Sequence, residues 1–372
     1  MKIGLLVSSM GNFGENGFYN AQEIGLAKEL DKIVDEVIIY KLIAEDHNVI
    51  QKVVHGCVHS TLKMIPAKGL GINGFVNLSI LESDLDALIY FSDTQLSVPK
   101  VYKWAKKHNI AFYPYIGVLR SHSTNRVKKL IIDLLFNRNI SVYRNSHCFV
   151  KTPNVEKDLI KLGVQRVTVT PVGLDLNIMH TDYQKYRVEE QKKKYHYHTG
   201  EKILLFIGRF VEEKQPEQMI EIFKKVYQKN NSYRLLMVGT GELRSITQKK
   251  VAEFGLVEQV QYIDRIPYND IWELYRIADT FVNLNKQEIF GMSIMEAMFY
   301  ECKVVAWHAP GPDFIIKNKK YGFLCESVDE VVLSIMEGVI DGKESKQRIL
   351  DHFTWKNSAE KITKVYNNEG NK

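Results

Sequence analysis

Lys286-Gln287-Glu288-Ile289-Phe290-Gly291-Met292-Ser293-Ile294-Met295-Glu296-Ala297-Met298 decides how this chain is read. An apolar run precedes it, Thr280-Phe281-Val282-Asn283-Leu284, with the composition of a buried strand. The stretch turns helical, closes at Glu301-Cys302 and gives way to a second strand pattern, Lys303-Val304-Val305-Ala306-Trp307. Strand, loop, helix and strand make a βαβ unit, and in open parallel sheets ligands sit where strands end and helices begin. Gly291 lets backbone approach a ligand, while Met292 and Ser293 open a helix whose free N–H groups favour an anion. Eight residues of pure helix would set Glu288 and Glu296 about 12 Å apart. Acceptors at both ends with bare amides between them suit a ligand with hydroxyls at its ends and phosphate in its middle. A nucleotide-sugar has that layout.

Working outward, Lys202-Ile203-Leu204-Leu205-Phe206-Ile207 is a continuous apolar run ending at Gly208-Arg209, with Lys214 five residues on. It reads as a buried parallel strand presenting a cation at its carboxyl end. Strand and helix patterns alternate along most of the chain, which predicts α/β layers around parallel sheets.

The spacing of Glu288 and Glu296 around Phe290-Gly291, with Gly208-Arg209 and Lys214 upstream, resembles the E-x7-E and Gly-Arg…Lys signatures of family 4 glycosyltransferases. The resemblance implies the GT-B fold: two Rossmann-like domains facing across a cleft, the last helix crossing back to the first. In that family the first Glu contacts the donor sugar and the second the ribose. Amides between them, here of Phe290, Gly291, Met292 and Ser293, hold sugar and phosphates, and the Arg and Lys grip the diphosphate. Arg supplies a fork and Lys a point charge, in place of a divalent metal. Gly17 aligns with a first-domain loop that approaches the donor phosphates or the acceptor, and is counted here with the donor. Gly239 sits in the family's Gly-x-Gly turn, Gly239-Thr240-Gly241. Ile266 lies near the end of the stretch Val260–Pro267, which aligns with the strand whose end holds the nucleobase. The donor-binding set is therefore Gly17, Gly208, Arg209, Lys214, Gly239, Ile266, Glu288, Phe290, Gly291, Met292, Ser293 and Glu296, with Arg209, Lys214 and Glu288 catalytic.

A chain of 372 residues suits two domains. No run of eighteen apolar residues occurs, and Met1 to Val7 is too short in its apolar part for a signal peptide. Cys57, Cys148, Cys302 and Cys325 lack paired spacing, as in a reducing cytoplasm. The net charge of +6 is too modest to indicate nucleic acid.

In the first half, Gly11, Gly14 and Gly17 are spaced by three and miss the dinucleotide fingerprint, which excludes a nicotinamide site. Gly239 and Gly241 miss it too, since Arg244 and Ser245 follow. His55-Gly56-Cys57-Val58-His59 has ligand-type residues but no second cluster, so no metal is expected there. Asp84-Leu85-Asp86 reads as an acidic loop before the strand Ala87 to Phe91. Ile116 stands where the family usually places a His before Gly117, with His122 beyond. Arg126 to Arg138 interleaves Lys128 and Lys129 with apolar residues, a pattern compatible with a domain helix or with an anionic membrane surface. Tyr183 to Glu201 reads as an exposed, lysine-rich helix and linker.

The expected layout is an acceptor-binding domain over 1–172 joined by helix 356–370, and a donor-binding domain over 173–355. The function implied is a retaining transfer of a hexosyl unit from a nucleotide-sugar, taken as UDP-linked, to a hydroxyl of a saccharide or lipid-linked acceptor in cell-surface polysaccharide synthesis. The partners expected are that donor and acceptor, with no nucleic acid, no metal and no cofactor. The place expected is the cytoplasm, with peripheral contact at the inner membrane face. Two other readings fit the same residues: a non-catalytic GT-B partner of another transferase, motivated by Ile116, and a sugar-nucleotide epimerase.

Overall fold

The computed structural model describes residues 1–10, 22–70, 73–119 and 136–370. The chain divides into two units, Met1–Gly173 with Trp355–Lys372, and Leu174–Thr354.

In the first unit the strands are β1 (Lys2–Val7), β2 (Glu36–Ile43), β3 (Ile50–Val53), β4 (Ser60–Pro66), β5 (Lys68–Leu70), β6 (Asn73–Phe75), β7 (Ala87–Phe91), β8 (Ala111–Ile116), β9 (Cys148–Val150) and β10 (Val167–Val169). Eight of them form one sheet in the order β10-β9-β8-β7-β1-β2-β4-β3, parallel except for β3, and β5 pairs with β6. The chain winds outward from β1 through β2 to β4, then returns to β7 on β1's other side. That reversal places the ends of β1 and β7 at the switch point of the sheet. Asp84 and Asp86 have a structural task there. Asp86 accepts the Lys2 backbone N–H at 2.6 Å and Asp84 accepts from Lys2 Nζ at 3.0 Å, fixing the start of β1. The segment Val54 to His59 is a turn between the antiparallel β3 and β4. Helix Trp355–Gly370 belongs to this unit. It packs on helix Gln22–Leu30, and Ser358 Oγ donates to the Pro171 carbonyl at 2.7 Å. Lys41 Nζ and Glu23 form a 2.8 Å ion pair inside the core.

The second unit holds β11 (Lys202–Ile207), β12 (Tyr233–Val238), β13 (Val260–Ile263), β14 (Thr280–Asn283), β15 (Lys303–Trp307) and β16 (Phe323–Cys325). They form one all-parallel sheet in the order β13-β12-β11-β14-β15-β16. Counted within the unit this is 3-2-1-4-5-6, the order of a doubly wound sheet, with its switch point between β11 and β14. Strand residues pointing to either face are buried, Leu204 and Phe206 on one and Ile203 and Leu205 on the other, which is why the strands are continuous apolar runs and not alternating ones.

The lysine-rich segment departs from expectation. Helix Val188–Lys194 is not a free solvent-facing linker: Lys192 is buried, donates to the Glu201 carbonyl at 2.8 Å and pairs with Asp279 at 3.7 Å. Lys194 Nζ and Tyr195 Oη both donate to Glu273, each at 2.6 Å, on helix Ile271–Ile277. Long lysine stems cover apolar surface while their heads find acceptors, so a run that looks solvated in one dimension is seated. Among the described residues, no helix is long and apolar enough to cross a membrane.

Candidate active site

The site grows from the two strands at the switch point of the second unit. Strand β11 ends in Gly208-Arg209, and the chain then makes a short 3-10 turn, Glu212–Lys214. Pro216 opens helix Pro216–Lys229, so the turn stops at Lys214 and sends its side chain back over Gly208. Arg209 is exposed. From the neighbouring strand β14 the chain passes through two buried asparagines, Asn283 and Asn285, to Glu288.

Glu288 and Lys214 meet there. Lys214 Nζ donates to Glu288 Oε2 at 2.7 Å, with the side chains 23% and 16% exposed. Asn285 Nδ2 and Asn283 Nδ2 lie 3.3 and 3.4 Å from the same oxygen. The Glu288 carbonyl accepts the Gly311 N–H at 2.9 Å, so the turn Ala309-Pro310-Gly311 braces the loop from behind.

Gly291 has φ +101°, a left-handed conformation that L side chains rarely adopt, and it turns the chain into helix Met292–Phe299. No side chain caps this helix, leaving the Met292 and Ser293 amides with no partner inside it. Phe290 is buried beside them.

Glu296 lies one turn inside and only 3% exposed. It accepts from Tyr275 Oη at 2.8 Å and Tyr268 Oη at 3.4 Å. Burial pushes its carboxyl up to about 7, and the two tyrosine hydroxyls only partly oppose that. A carboxyl with a folded pKa near 7 and an ordinary value of 4.5 binds more protons folded than unfolded between those limits. Stability therefore falls as pH rises through that window, and the cost, on the order of 3 kcal/mol, is fully present above it. Glu296→Gln keeps an oxygen for the tyrosine hydroxyls and removes the charge. Its melting temperature should exceed the wild type's at about pH 8, with the gap closing toward about pH 5. A gap independent of pH would show that Glu296 does not titrate in this range.

Gly239-Thr240-Gly241 is laced to the end of β11. Gly208 N–H donates to the Val238 carbonyl at 3.0 Å and Phe210 N–H to the Thr240 carbonyl at 2.9 Å. Arg244, where a dinucleotide fingerprint would have its third glycine, instead clamps this turn. Its Nη1 donates to the Gly239 carbonyl at 2.9 Å, its Nη2 pairs with Asp264 at 2.5 Å, and its guanidinium lies 5.1 Å from the Tyr262 ring centre. Ile266 is half-buried in the segment from β13 to Tyr268.

Of the sequence-derived residues, the second unit brings Lys214 and Glu288 into contact and sets Gly208 against Gly239, with Phe290 to Ser293 following directly on Glu288. Gly17, His122, Arg126, Lys128 and Lys129 lie outside the described residues. Ile116 is fully buried in the first unit's core and offers no reactive group. Near it, Asp93 accepts the Gly117 and Val118 amides at 2.5 and 3.1 Å, and Lys151 Nζ stands 3.7 Å from its other oxygen. Asp93, Lys151, Asn283, Asn285, Tyr268 and Tyr275 were not singled out by the sequence reading. Asn283 and Asn285 carried the only local signal, one amide closing an apolar strand and another just beyond it.

Residues 187–350 match the family described as glycosyl transferases group 1. The match spans most of the second unit, Leu174–Thr354. Among curated relatives, the chain is 23% identical to a D-inositol 3-phosphate glycosyltransferase of Corynebacterium diphtheriae, over 58% of this chain and 55% of that one. It is 22% identical to the alpha-monoglucosyldiacylglycerol synthase of Streptococcus pneumoniae, over 56% and 48%. The chain spans about half the length of the curated relatives it matches. Among solved structures, the sucrose-phosphate synthase of Thermosynechococcus elongatus superposes with a TM-score of 0.72 at 17% identity, covering 99% of this chain and 98% of that one. The HepE protein of Anabaena, in complex with UDP and glucose, gives 0.69 at 14% identity, covering 99% and 100%. These likenesses identify the fold as GT-B.

Proposed function

We propose that the chain transfers a hexosyl unit from a UDP-linked sugar to a hydroxyl of a saccharide or lipid-linked acceptor, with retention of anomeric configuration. The observation that carries this reading is the Lys214–Glu288 pair, 2.7 Å apart at the end of β11 and β14, with Arg209 exposed on the same strand end. As the bond between the anomeric carbon and the diphosphate oxygen breaks, its electron pair goes to that oxygen. Fixed cations at Arg209 and Lys214 stabilise the growing charge without a metal. Glu288 accepts from donor-sugar hydroxyls, the Met292 and Ser293 amides face phosphate oxygens, and Glu296 accepts from the ribose. Neither Glu288, already anchored, nor buried Glu296 is presented as a covalent nucleophile. Retention then follows a front-face route, the departing phosphate oxygen taking the acceptor's proton.

On this reading the second unit binds donor and the first binds acceptor, with Gly17 of the first unit reaching the donor. The UDP and UDP-glucose in the HepE structures favour uridine. The diacylglycerol in the streptococcal relative's name favours a lipid-linked acceptor at the inner membrane face, in cell-surface polymer or glycolipid synthesis. The test is nucleotide release from UDP-, GDP- and ADP-sugars. Slow hydrolysis of one UDP-sugar, lost in Glu288→Ala, is expected. Neither hydrolysis nor calorimetric binding of any donor would sink the enzyme reading and favour a non-catalytic partner. Fast isomerisation of a donor without acceptor would favour an epimerase.

A further inference from the structure

Asn285 lies two residues past the end of β14 and does more than continue the loop. It is 1% exposed, and its Nδ2 is placed against two acids from different parts of the chain: Glu288 Oε2 at 3.3 Å and Glu213 Oε1 at 3.1 Å. Its Oδ1 accepts the Gln287 N–H at 2.9 Å, and its own N–H donates to Asn283 Oδ1 at 3.0 Å. Glu213 is the residue before Lys214, on the same 3-10 turn. One amide thus ties the turn carrying the cation to the loop carrying the acid.

The chemistry needs an amide at this position. An NH2 group has two protons and can serve two carboxylates at once, while the carboxamide oxygen holds a backbone N–H. A carboxylate of the same shape could serve neither acid. A hydroxyl has one proton for two acceptors. Without the bridge, Glu213 and Glu288 would flank Lys214 with nothing fixing which of them it meets, and both are acids that attract it.

We infer that Asn285 is a positioning residue that assigns Lys214 to Glu288 and holds Glu213 away, so that one cation and one carboxylate face the donor in fixed register. This rests on the nucleotide-sugar reading of the site and deepens it. Charge near the diphosphate is then set by Asn285, a residue that need not touch the donor itself.

The test is calorimetric titration of the full chain with UDP and with UDP-glucose, alongside melting temperature. Asn285→Asp puts a third carboxylate beside Lys214 and is expected to weaken UDP binding about ten-fold or more. Adding Glu213→Gln to that variant restores a donor–acceptor pair across the turn, because the new amide can donate to the new acid. Most of the lost affinity should return. Glu212→Gln in the same background removes an equal charge one residue away and should return little. Asn285→Ser, which keeps one proton and adds no charge, should weaken UDP less than Asn285→Asp at similar melting temperature.

A generic packing role would lower stability in every variant and give no selective rescue by Glu213→Gln. Unchanged UDP affinity in Asn285→Asp, or equal rescue by Glu212→Gln and Glu213→Gln, overturns the inference. Failure of the wild type to bind either nucleotide is a different result, since it removes the donor reading on which the inference stands.

Discussion

Lys214→Ala should lower turnover of the transferable donor by about two to three powers of ten, an effect of the size seen when one fixed donor to a developing oxyanion is removed. The reason lies in when the charge is needed. On the proposed function, the diphosphate charge in the ground state is already spread over several oxygens and shared by the Met292 and Ser293 amides. As the leaving oxygen separates it gains charge that only a cation close by can match. Lys214 is held at the end of a short turn, 2.7 Å from Glu288, and pays little reorganisation to meet that oxygen. Lys214→Arg retains the charge, but a planar fork on a longer stem cannot occupy the same point beside Gly208, so partial recovery is expected. Steady-state release of UDP from the accepted donor separates the possibilities. A fall in kcat and kcat/KM together is the expected pattern. A rise in KM at unchanged kcat would assign Lys214 to binding alone and leave leaving-group stabilisation to Arg209. The double variant with Arg209→Ala should not show the product of the single losses if, as proposed, both cations act on one diphosphate.

The parts of this site that the sequence made legible are those carried by local pattern. Ile203 to Ile207 announces a buried parallel strand by being apolar throughout, and Gly208-Arg209 marks its end. Thr280 to Asn283 does the same for the neighbouring strand, and Glu288, Gly291 and Glu296 sit on the turn and helix that must follow. Strand order could be anticipated because alternating strands and helices favour a doubly wound sheet. What escaped were partners chosen across elements. Tyr275 lies on a short helix whose apolar pattern makes it look like core, and only the crossing of that helix with Met292–Phe299 turns its hydroxyl to Glu296. Asn285 looks like a loop residue until Glu213, seventy-two positions earlier, arrives on its other side. Lys192 was misjudged for the same reason, since charge in a sequence does not say which carbonyl is waiting for it. The Gly-x-Gly turn was visible, but its reason was not: the glycines serve close backbone packing as well as any ligand.

That reason yields the second large effect. Gly239→Ala should remove most of the second unit's stability, and nucleotide binding with it. Gly239 has φ +139°, a conformation available to glycine and strained for alanine. A Cβ built there would stand 1.9 Å from the Gly208 carbonyl oxygen, inside any tolerable contact, and the obstacle is backbone that cannot rotate aside as a side chain could. Relief requires Gly208 or the turn to move. Either movement strains the bonds from Gly208 N–H to Val238 and from Gly239 N–H to Ile263, which join β11, β12 and β13 at their carboxyl ends. Strained φ and overpacking each contribute roughly 1–3 kcal/mol, so a loss of about 4 kcal/mol is expected. Against a domain stability of about 5–15 kcal/mol, that is enough to unfold a marginal unit near growth temperature. Urea denaturation followed by tryptophan fluorescence checks it, Trp272 and Trp307 both lying in the second unit. Gly255→Ala is the control. Gly255 also has a positive φ, +67°, but a Cβ there meets nothing within 4 Å, so it carries the conformational strain without the clash. A shift in Gly239→Ala no larger than in Gly255→Ala would mean that the backbone at β11 yields readily. Arg209 and Lys214 would then be less firmly placed than the role proposed for them at a leaving diphosphate demands, because a cation on a loop that moves that easily gives up much of its advantage over water.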